Sequence, residues 1–332
     1  MQVRLIGKSN GVGLSRDFDL LAAALRACGC QVTSYGCERR DRKRRRGLLT
    51  RLLARGRRLR YRRRAVATGA GYDLNLMLEH VWPQFLHEAA RNVLVPNPEW
   101  FDRRDLAFLD AADGVWAKTS LAERLFAARG CRTTRIGFDS IDRYQPAIAR
   151  QAQFLHLAGR SPLKGTARLL ALWHRHPEWP VLTIVQDLEP EAQQRKGTHN
   201  IVWRGFLPDE ELRTLQNAHR FQLCTSEAEG WGHYIAEAMS VAAVTLTCDG
   251  PPMNELVSPE RGVLIGSHAG ARHNLATLCQ FDEPALEAQI ARVLAMAASQ
   301  WDDIGAAARR WFLDNKQGFI ARVQRALEQL DP

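Results

Sequence analysis

Short apolar runs recur along this chain, and each is followed by a turn and then a stretch with helical periodicity. The first series is residues 3–7, 31–35, 73–78, 93–95, 114–117 and 134–138, with a helix expected over 14–27 after the first run. Residues 142–151 break the rhythm with turn residues and little periodicity. It restarts at 154–158 and continues through 181–185, 201–203, 221–225, 244–247 and 263–265. From Pro284 onward the pattern is helical. Runs this short, apolar throughout rather than alternating, are what strands need when helices cover both faces of a parallel sheet. The chain therefore reads as α/β, with two doubly wound, Rossmann-like halves. A length of 332 residues suits two such domains. We place them at 1–145 and 152–332, with the interdomain linker in 142–151.

The most informative stretch is Glu229-Gly230-Trp231-Gly232-His233-Tyr234-Ile235-Ala236-Glu237-Ala238-Met239. A strand precedes it and an alanine-rich helical pattern follows. Glu229 is thus expected on a loop at the carboxyl end of a strand, and Glu237 about two turns into the next helix. Ligands of open α/β sheets bind at that edge, and a helix N-terminus there offers amide donors to an anion. A carboxylate inside the helix can accept two hydrogen bonds from a vicinal diol such as a ribose. The stretch reads as a site for a phosphorylated sugar or a nucleotide.

It also resembles the signature of retaining GT-B glycosyltransferases, most closely family 4, which runs Glu-Gly-Phe-Gly-x-x-x-x-Glu-Ala-Met. Three further segments follow the family's order. Gly159-Arg160-Ser161-Pro162-Leu163-Lys164-Gly165 resembles its diphosphate clamp, one residue shorter than the commonest spacing. Val202-Trp203-Arg204-Gly205-Phe206-Leu207-Pro208 resembles its strand-Gly-Phe-x-Pro segment, and Asp249-Gly250-Pro251-Pro252-Met253-Asn254-Glu255-Leu256 its Gly-x-x-Glu turn. The resemblance spans about residues 153 to 266. It departs where the family has Gly-x-Pro after Glu-Ala-Met, since Ala242-Ala243-Val244 stands there.

The resemblance implies a GT-B fold, two Rossmann-like domains facing a central cleft, with terminal helices packing back on the first domain. It implies transfer of a sugar from a nucleotide-sugar donor with retention of anomeric configuration. Arg160 and Lys164 would meet the two phosphates, with Arg as a planar fork and Lys as a point charge. They would stabilise the charge that grows on the leaving group, so no metal or other cofactor is expected beyond the nucleotide sugar itself. Glu237 would hold the ribose and Glu229 would face the sugar. Gly230, Trp231, Gly232 and His233 would line the donor through their amides. In the first half, His80 and Glu99 follow strands and are candidates to contact the acceptor or the sugar, with Lys118-Thr119-Ser120 as a third. Gly11 and Gly13 sit on the loop after the first strand, an acceptor-side loop in this reading. Arg16 stands where a dinucleotide fingerprint needs its third glycine, so a nicotinamide enzyme is not expected.

Charge is concentrated in one segment. Residues 39–64 carry 15 Lys and Arg against Asp41 alone, a net +14 in a chain whose total is +10, leaving the remainder at −4. Leu48, Leu49, Leu52, Leu53 and Leu59 fall near one helical face, with Arg51, Arg55, Arg58 and Arg62 around the rest. A basic amphipathic stretch suits an anionic membrane surface or a phosphate backbone. The expected acceptor is accordingly a glycan or a lipid-linked saccharide. Nucleic acid, as in transfer to a DNA base, is the alternative, and a non-catalytic anionic-surface binding protein on a GT-B scaffold is a third reading. Seven cysteines without paired Cys-x-x-Cys spacing argue against a disulfide framework or a zinc site. No apolar run is long enough to span a bilayer and no signal peptide is evident. A cytoplasmic protein, peripheral at the inner face of the membrane, is the expectation.

Overall fold

The computed structural model describes residues 1–8, 13–37, 71–187 and 199–330. Gly11, proposed for the acceptor-side loop, and Arg51, Arg55, Arg58 and Arg62, proposed for docking, lie outside the described residues, as do the surroundings of Gly13.

Among the described residues, two six-stranded parallel sheets carry the fold. The first comprises β1 (Gln2–Gly7), β2 (Gln31–Gly36), β3 (Tyr72–Leu78), β4 (Ala89–Val95), β5 (Gly114–Ala117) and β6 (Thr133–Arg135), in the order β2-β1-β3-β4-β5-β6. The second comprises β7 (Gln151–Gly159), β8 (Leu182–Gln186), β9 (Ile201–Arg204), β10 (His219–Cys224), β11 (Val244–Cys248) and β12 (Val263–Ile265), in the order β12-β11-β10-β7-β8-β9. Continuous burial of Leu74, Leu76, Met77 and Leu78 on β3 shows why the strand sequences do not alternate: both faces are covered.

In each sheet the chain builds to one side of its first strand, then returns and builds to the other. The order reverses between β1 and β3 in the first sheet and between β7 and β10 in the second. At such a reversal the connecting segments leave in opposite directions, and a crevice opens beyond the carboxyl ends of the two strands. In open α/β sheets such reversals are where ligands bind.

The chain divides into two compact units. One is Met1–Asp139 with His273–Ala276 and Lys316–Pro332; the other is Ser140–Arg272 with Thr277–Asn315. The first packs Ile6, Met77, Trp82, Leu94, Phe101, Val115 and Phe126 into one apolar cluster. In the second, Phe154 stacks on Phe221 at 4.8 Å and meets Trp173 edge-on at 5.2 Å. Truncating an aromatic residue in such a cluster costs about 3–5 kcal/mol.

Two local readings are corrected, and one element is added. The last strand of the first half is Thr133–Arg135 rather than 134–138, because Gly137 takes a left-handed φ of 63° and ends the extended run. Glu237 is the fifth residue of helix α5 (His233–Ser240), about one turn in rather than two. Gly232, at φ 99°, turns the chain immediately before the helix, so the glycines belong to the loop. A two-stranded ribbon, β13 (Ser267–His273) with β14 (Ala276–Phe281), was not expected; Asn274 turns it at φ 53°. Among the described residues no helix is long and apolar enough to cross a membrane.

Candidate functional site

The switch point of the second sheet is built from two loops. The one after β7 holds Ser161 to Gly165, and Ser161 caps its single 3-10 turn by accepting from the Leu163 amide at 3.3 Å. The other, after β10, holds Thr225 to Gly232. Backbone ties join them: the Glu227 amide donates to the Leu163 carbonyl at 2.8 Å, and the Thr225 hydroxyl to the Lys164 carbonyl at 2.9 Å. Gly165 is required here. Its φ is 71°, and a Cβ would stand 2.8 Å from the Thr225 carbonyl oxygen.

With the loops joined this way, Lys164 and Glu229 meet. The Lys164 ammonium pairs with Glu229 Oε1 and lies 3.6 Å from the centre of the Tyr234 ring. Their side chains are only 15% and 14% exposed, so the pair is largely out of water yet still reachable. Ser226 donates its hydroxyl to the same Glu229 oxygen and lies 2.6 Å from the Tyr234 hydroxyl, which also accepts from the Ser226 amide at 3.0 Å. Burial, reinforced by nearby Cys224 and Glu229, pushes the Tyr234 phenol well above its ordinary range, so it stays a neutral donor. The result is one cation held by a carboxylate and an aromatic face, at the place where the fold opens a crevice.

Beneath it sits His156, fully buried on β7. Its Nδ1 donates to the Leu223 carbonyl at 2.8 Å, and its Nε2 accepts from the Thr166 hydroxyl at 2.9 Å. Burial lowers its pKa to about 4, with the Lys164 charge a smaller contribution in the same direction. A neutral imidazole thus ties β7, β10 and the start of helix α3 (Thr166–Arg175) together under the cation.

The other candidates in this unit fall at different distances from that pair. Arg160 is 71% exposed and binds Asp187 rather than Glu229. Glu237 is 2% exposed and accepts from Gln216 Nε2 at 3.3 Å; Gln216 in turn receives Arg143 Nε at 2.7 Å. His233 Nδ1 lies 2.9 Å from the Ser140 hydroxyl, which Trp231 Nε1 reaches at 3.2 Å. The loop Gly230–Gly232 is therefore pinned by side chains on both sides of its turn. Sequence reasoning did not single out Ser226, Tyr234 or His156. The available signal for His156 was a polar residue in the middle of an apolar strand, which must find hydrogen bonds when buried.

The first unit has its own polar cluster at the carboxyl ends of its strands. His80, just after β3, places Nδ1 2.8 Å from Asp105 and Nε2 3.3 Å from Glu79. Glu79 holds a left-handed φ of 65°, a strained backbone for a non-glycine residue. Burial raises the Glu79 pKa, and the His80 and Lys118 charges oppose that shift. Lys118, 2% exposed, pairs with Asp17 of helix α1 (Gly13–Ala27) and donates to Asn97 at 2.9 Å. Thr119 caps the following helix α2 (Ser120–Ala127), accepting from the Ala122 amide at 3.1 Å. Glu99 is buried, and its carbonyl accepts from Asn274 at 2.6 Å. The sequence pointed to His80, Glu99 and Lys118. It did not point to Asp17, although a carboxylate on the apolar face of a helix with Phe18, Leu21 and Leu25 already calls for a buried partner.

Comparison with known proteins bears on the fold and on residues 144–277. Residues 144–277 match the family described as glycosyl transferases group 1. No curated protein matches the sequence. Among solved structures, sucrose-phosphate synthase from Thermosynechococcus elongatus superposes with a TM-score of 0.71 at 16% identity, covering 99% of each chain. Anabaena HepE, solved with UDP and glucose, gives 0.68 at 18% identity over 99% of this chain and 100% of that one. TarM gives 0.62 at 13% identity; 78% of this chain is covered, which spans 55% of that chain's length. The protein has a GT-B fold, and its residues 144–277 are similar to the glycosyl transferases group 1 family.

Proposed function

We propose that this protein transfers a sugar from a nucleotide-sugar donor to a glycan or lipid-linked acceptor, with retention of anomeric configuration. The observation that carries the reading is the Lys164–Glu229–Tyr234 cluster at the switch point of the second sheet, inside the segment that matches the group 1 family. Solved relatives support the donor class: HepE was crystallised with UDP-glucose.

Lys164 is the group that meets the donor diphosphate. When the donor enters, the ammonium exchanges part of its contact with Glu229 for a phosphate oxygen. Charge grows on the leaving diphosphate as the glycosidic bond breaks, so the cation stabilises the transition state more than the ground state. That leaves no step for which a metal must be invoked. Arg160, on the same loop, is the second phosphate contact and exchanges Asp187 for the donor. Glu229 turns its carboxylate toward the sugar, and the ribose diol donates to Glu237. His233 and the turn Gly230-Trp231-Gly232 bind the sugar hydroxyls. In the first unit, His80 and Glu99 are proposed to contact the acceptor. Residues 39–64 are proposed to bring the protein to an anionic membrane surface.

Titration with a panel of nucleoside diphosphates, alongside a transfer assay, tests the division of labour. Glu237→Ala should weaken nucleotide binding itself, since the diol is present in donor and product alike. Glu229→Gln should keep nucleotide affinity and lose transfer. Equal loss of affinity in the two variants would refute it.

A further inference from the structure

Away from both switch points, the first unit carries a cavity of about 290 Å³ lined by Glu123, Thr133, Thr134, Arg135, Arg322, Arg325 and Gln329. Among the described residues, three arginines from two distant parts of the chain converge on it, against a single acid. Arg135 comes from β6, and Arg322 and Arg325 from the last turns of helix α8 (Ala298–Glu328). Cations near a helix C-terminus complement its dipole, which accounts for Arg325. It does not account for a third guanidinium arriving from a strand.

Arg322 is built into place. Its Nε donates to the Ile136 carbonyl at 2.7 Å. Two glycines make room for the rest of the group: a Cβ on Gly137 would stand 3.1 Å from Arg322 Nη2, and one on Gly318 would stand 2.6 Å from Nη1. Threonine and glutamine complete the wall, with the Thr134 hydroxyl 3.0 Å from Gln329 Oε1. Burial lowers the Arg322 pKa, and the charges of Arg325 and Arg135 lower it further, against Asp139. Like charges are thus gathered in one concavity at a cost that an anion would relieve.

We propose that this cavity binds a phosphoryl-bearing anion, held by the planar donor forks of Arg135, Arg322 and Arg325. Its volume is at the lower end for small-molecule pockets, room for a phosphate ester or a diphosphate rather than a whole nucleotide sugar. It is separate from the donor residues proposed above, and the proposal stands whether or not those assignments hold.

Isothermal titration with inorganic pyrophosphate at fixed ionic strength tests it, on the wild type, on Arg135→Gln/Arg325→Gln, and on Gly318→Ala. The last keeps every charge and displaces only the Arg322 guanidinium. The Lys164 loop is common to all three proteins, so differences between them report on this cavity. The double variant should lose at least about tenfold in affinity, the scale of removing charge-assisted hydrogen bonds, and Gly318→Ala should lose several-fold. Equal affinity in the three proteins, or no binding by the wild type, would overturn the proposal. Sedimentation with phosphatidic acid vesicles separates the sources. Vesicle binding lost with the double variant assigns the anion to a lipid headgroup; vesicle binding unchanged while pyrophosphate affinity falls assigns it to a soluble phosphate.

Discussion

Lys164→Met is the substitution whose consequences the geometry fixes most fully. It leaves an unbranched side chain one heavy atom shorter than that of lysine and removes the charge. Glu229 is then left 14% exposed with the Ser226 hydroxyl in place of its cation. At van der Waals separation and an effective dielectric near 20, the lost attraction is about 4 kcal/mol. Desolvation already takes back part of that in the folded state. The net cost of Lys164→Met should be about 3 kcal/mol, close to the lower bound for breaking a buried pair. Glu229→Gln should cost less, because Lys164 keeps its aromatic face, worth about 1 kcal/mol.

Removing both groups should cost less than the sum by about 1–3 kcal/mol, the coupling expected of residues in direct contact. Urea unfolding of the four proteins of the cycle measures this. Turnover, measured in parallel, should fall about 100-fold in Lys164→Met, the scale of losing one preorganised charge stabiliser, or about 2.7 kcal/mol at the transition state. Additivity within a few tenths of a kcal/mol would show that the ion pair is not a unit, and undiminished turnover would remove Lys164 from the chemistry.

His156 gives a pH signature. Its folded pKa, about 4, is depressed from 6.5, so below pH 6.5 the unfolded chain binds a proton that the folded one refuses. Stability from this residue is complete above pH 6.5 and is lost as pH falls toward 4, by about 3 kcal/mol in total; His156→Gln should flatten that part of the stability profile, and an unchanged slope would contradict the buried neutral imidazole. Gly165→Ala places a side chain at φ 71° and 2.8 Å from the Thr225 carbonyl, so it should lower stability by about 1–3 kcal/mol and reduce turnover by shifting Lys164, with differential scanning and steady-state rates as the readouts. Replacing Arg51, Arg55, Arg58 and Arg62 with Gln should leave nucleotide affinity intact and weaken binding to anionic vesicles by about hundreds-fold, at roughly 1 kcal/mol per cation; unchanged vesicle binding would remove the segment from docking.

The alternation of apolar runs and helical patterns made the fold legible, because parallel strands buried on both faces leave so plain a trace. The two-stranded ribbon left almost none. Its first strand, Ser-His-Ala-Gly-Ala-Arg-His, is polar and largely exposed, so no apolar period marks it. At the candidate site, Lys164 and Glu229 stand out in the sequence through their setting between strands and glycines, whereas their pairing with each other is a finding of the structure alone. Ser226, Tyr234 and His156 do not stand out, because Ser226 meets Tyr234 8 residues away and His156 meets the Leu223 carbonyl 67 residues away, and sequence spacing does not carry such pairings. The same holds for Lys118 and Asp17, brought together across 101 residues by the order of the strands.

The most direct test of the central claim is the fate of a nucleotide sugar offered to the protein. A panel of donors is incubated with and without lipid-linked or glycan acceptors, and the anomeric proton of the released or transferred sugar is followed by nuclear magnetic resonance. The account predicts that one donor is consumed with release of its nucleoside diphosphate, that the first-formed product keeps the donor's anomeric configuration, and that Lys164→Met slows this about 100-fold. Consumption of no donor, together with no nucleoside diphosphate binding at millimolar concentration, would contradict it, and an inverted first-formed product would contradict retention.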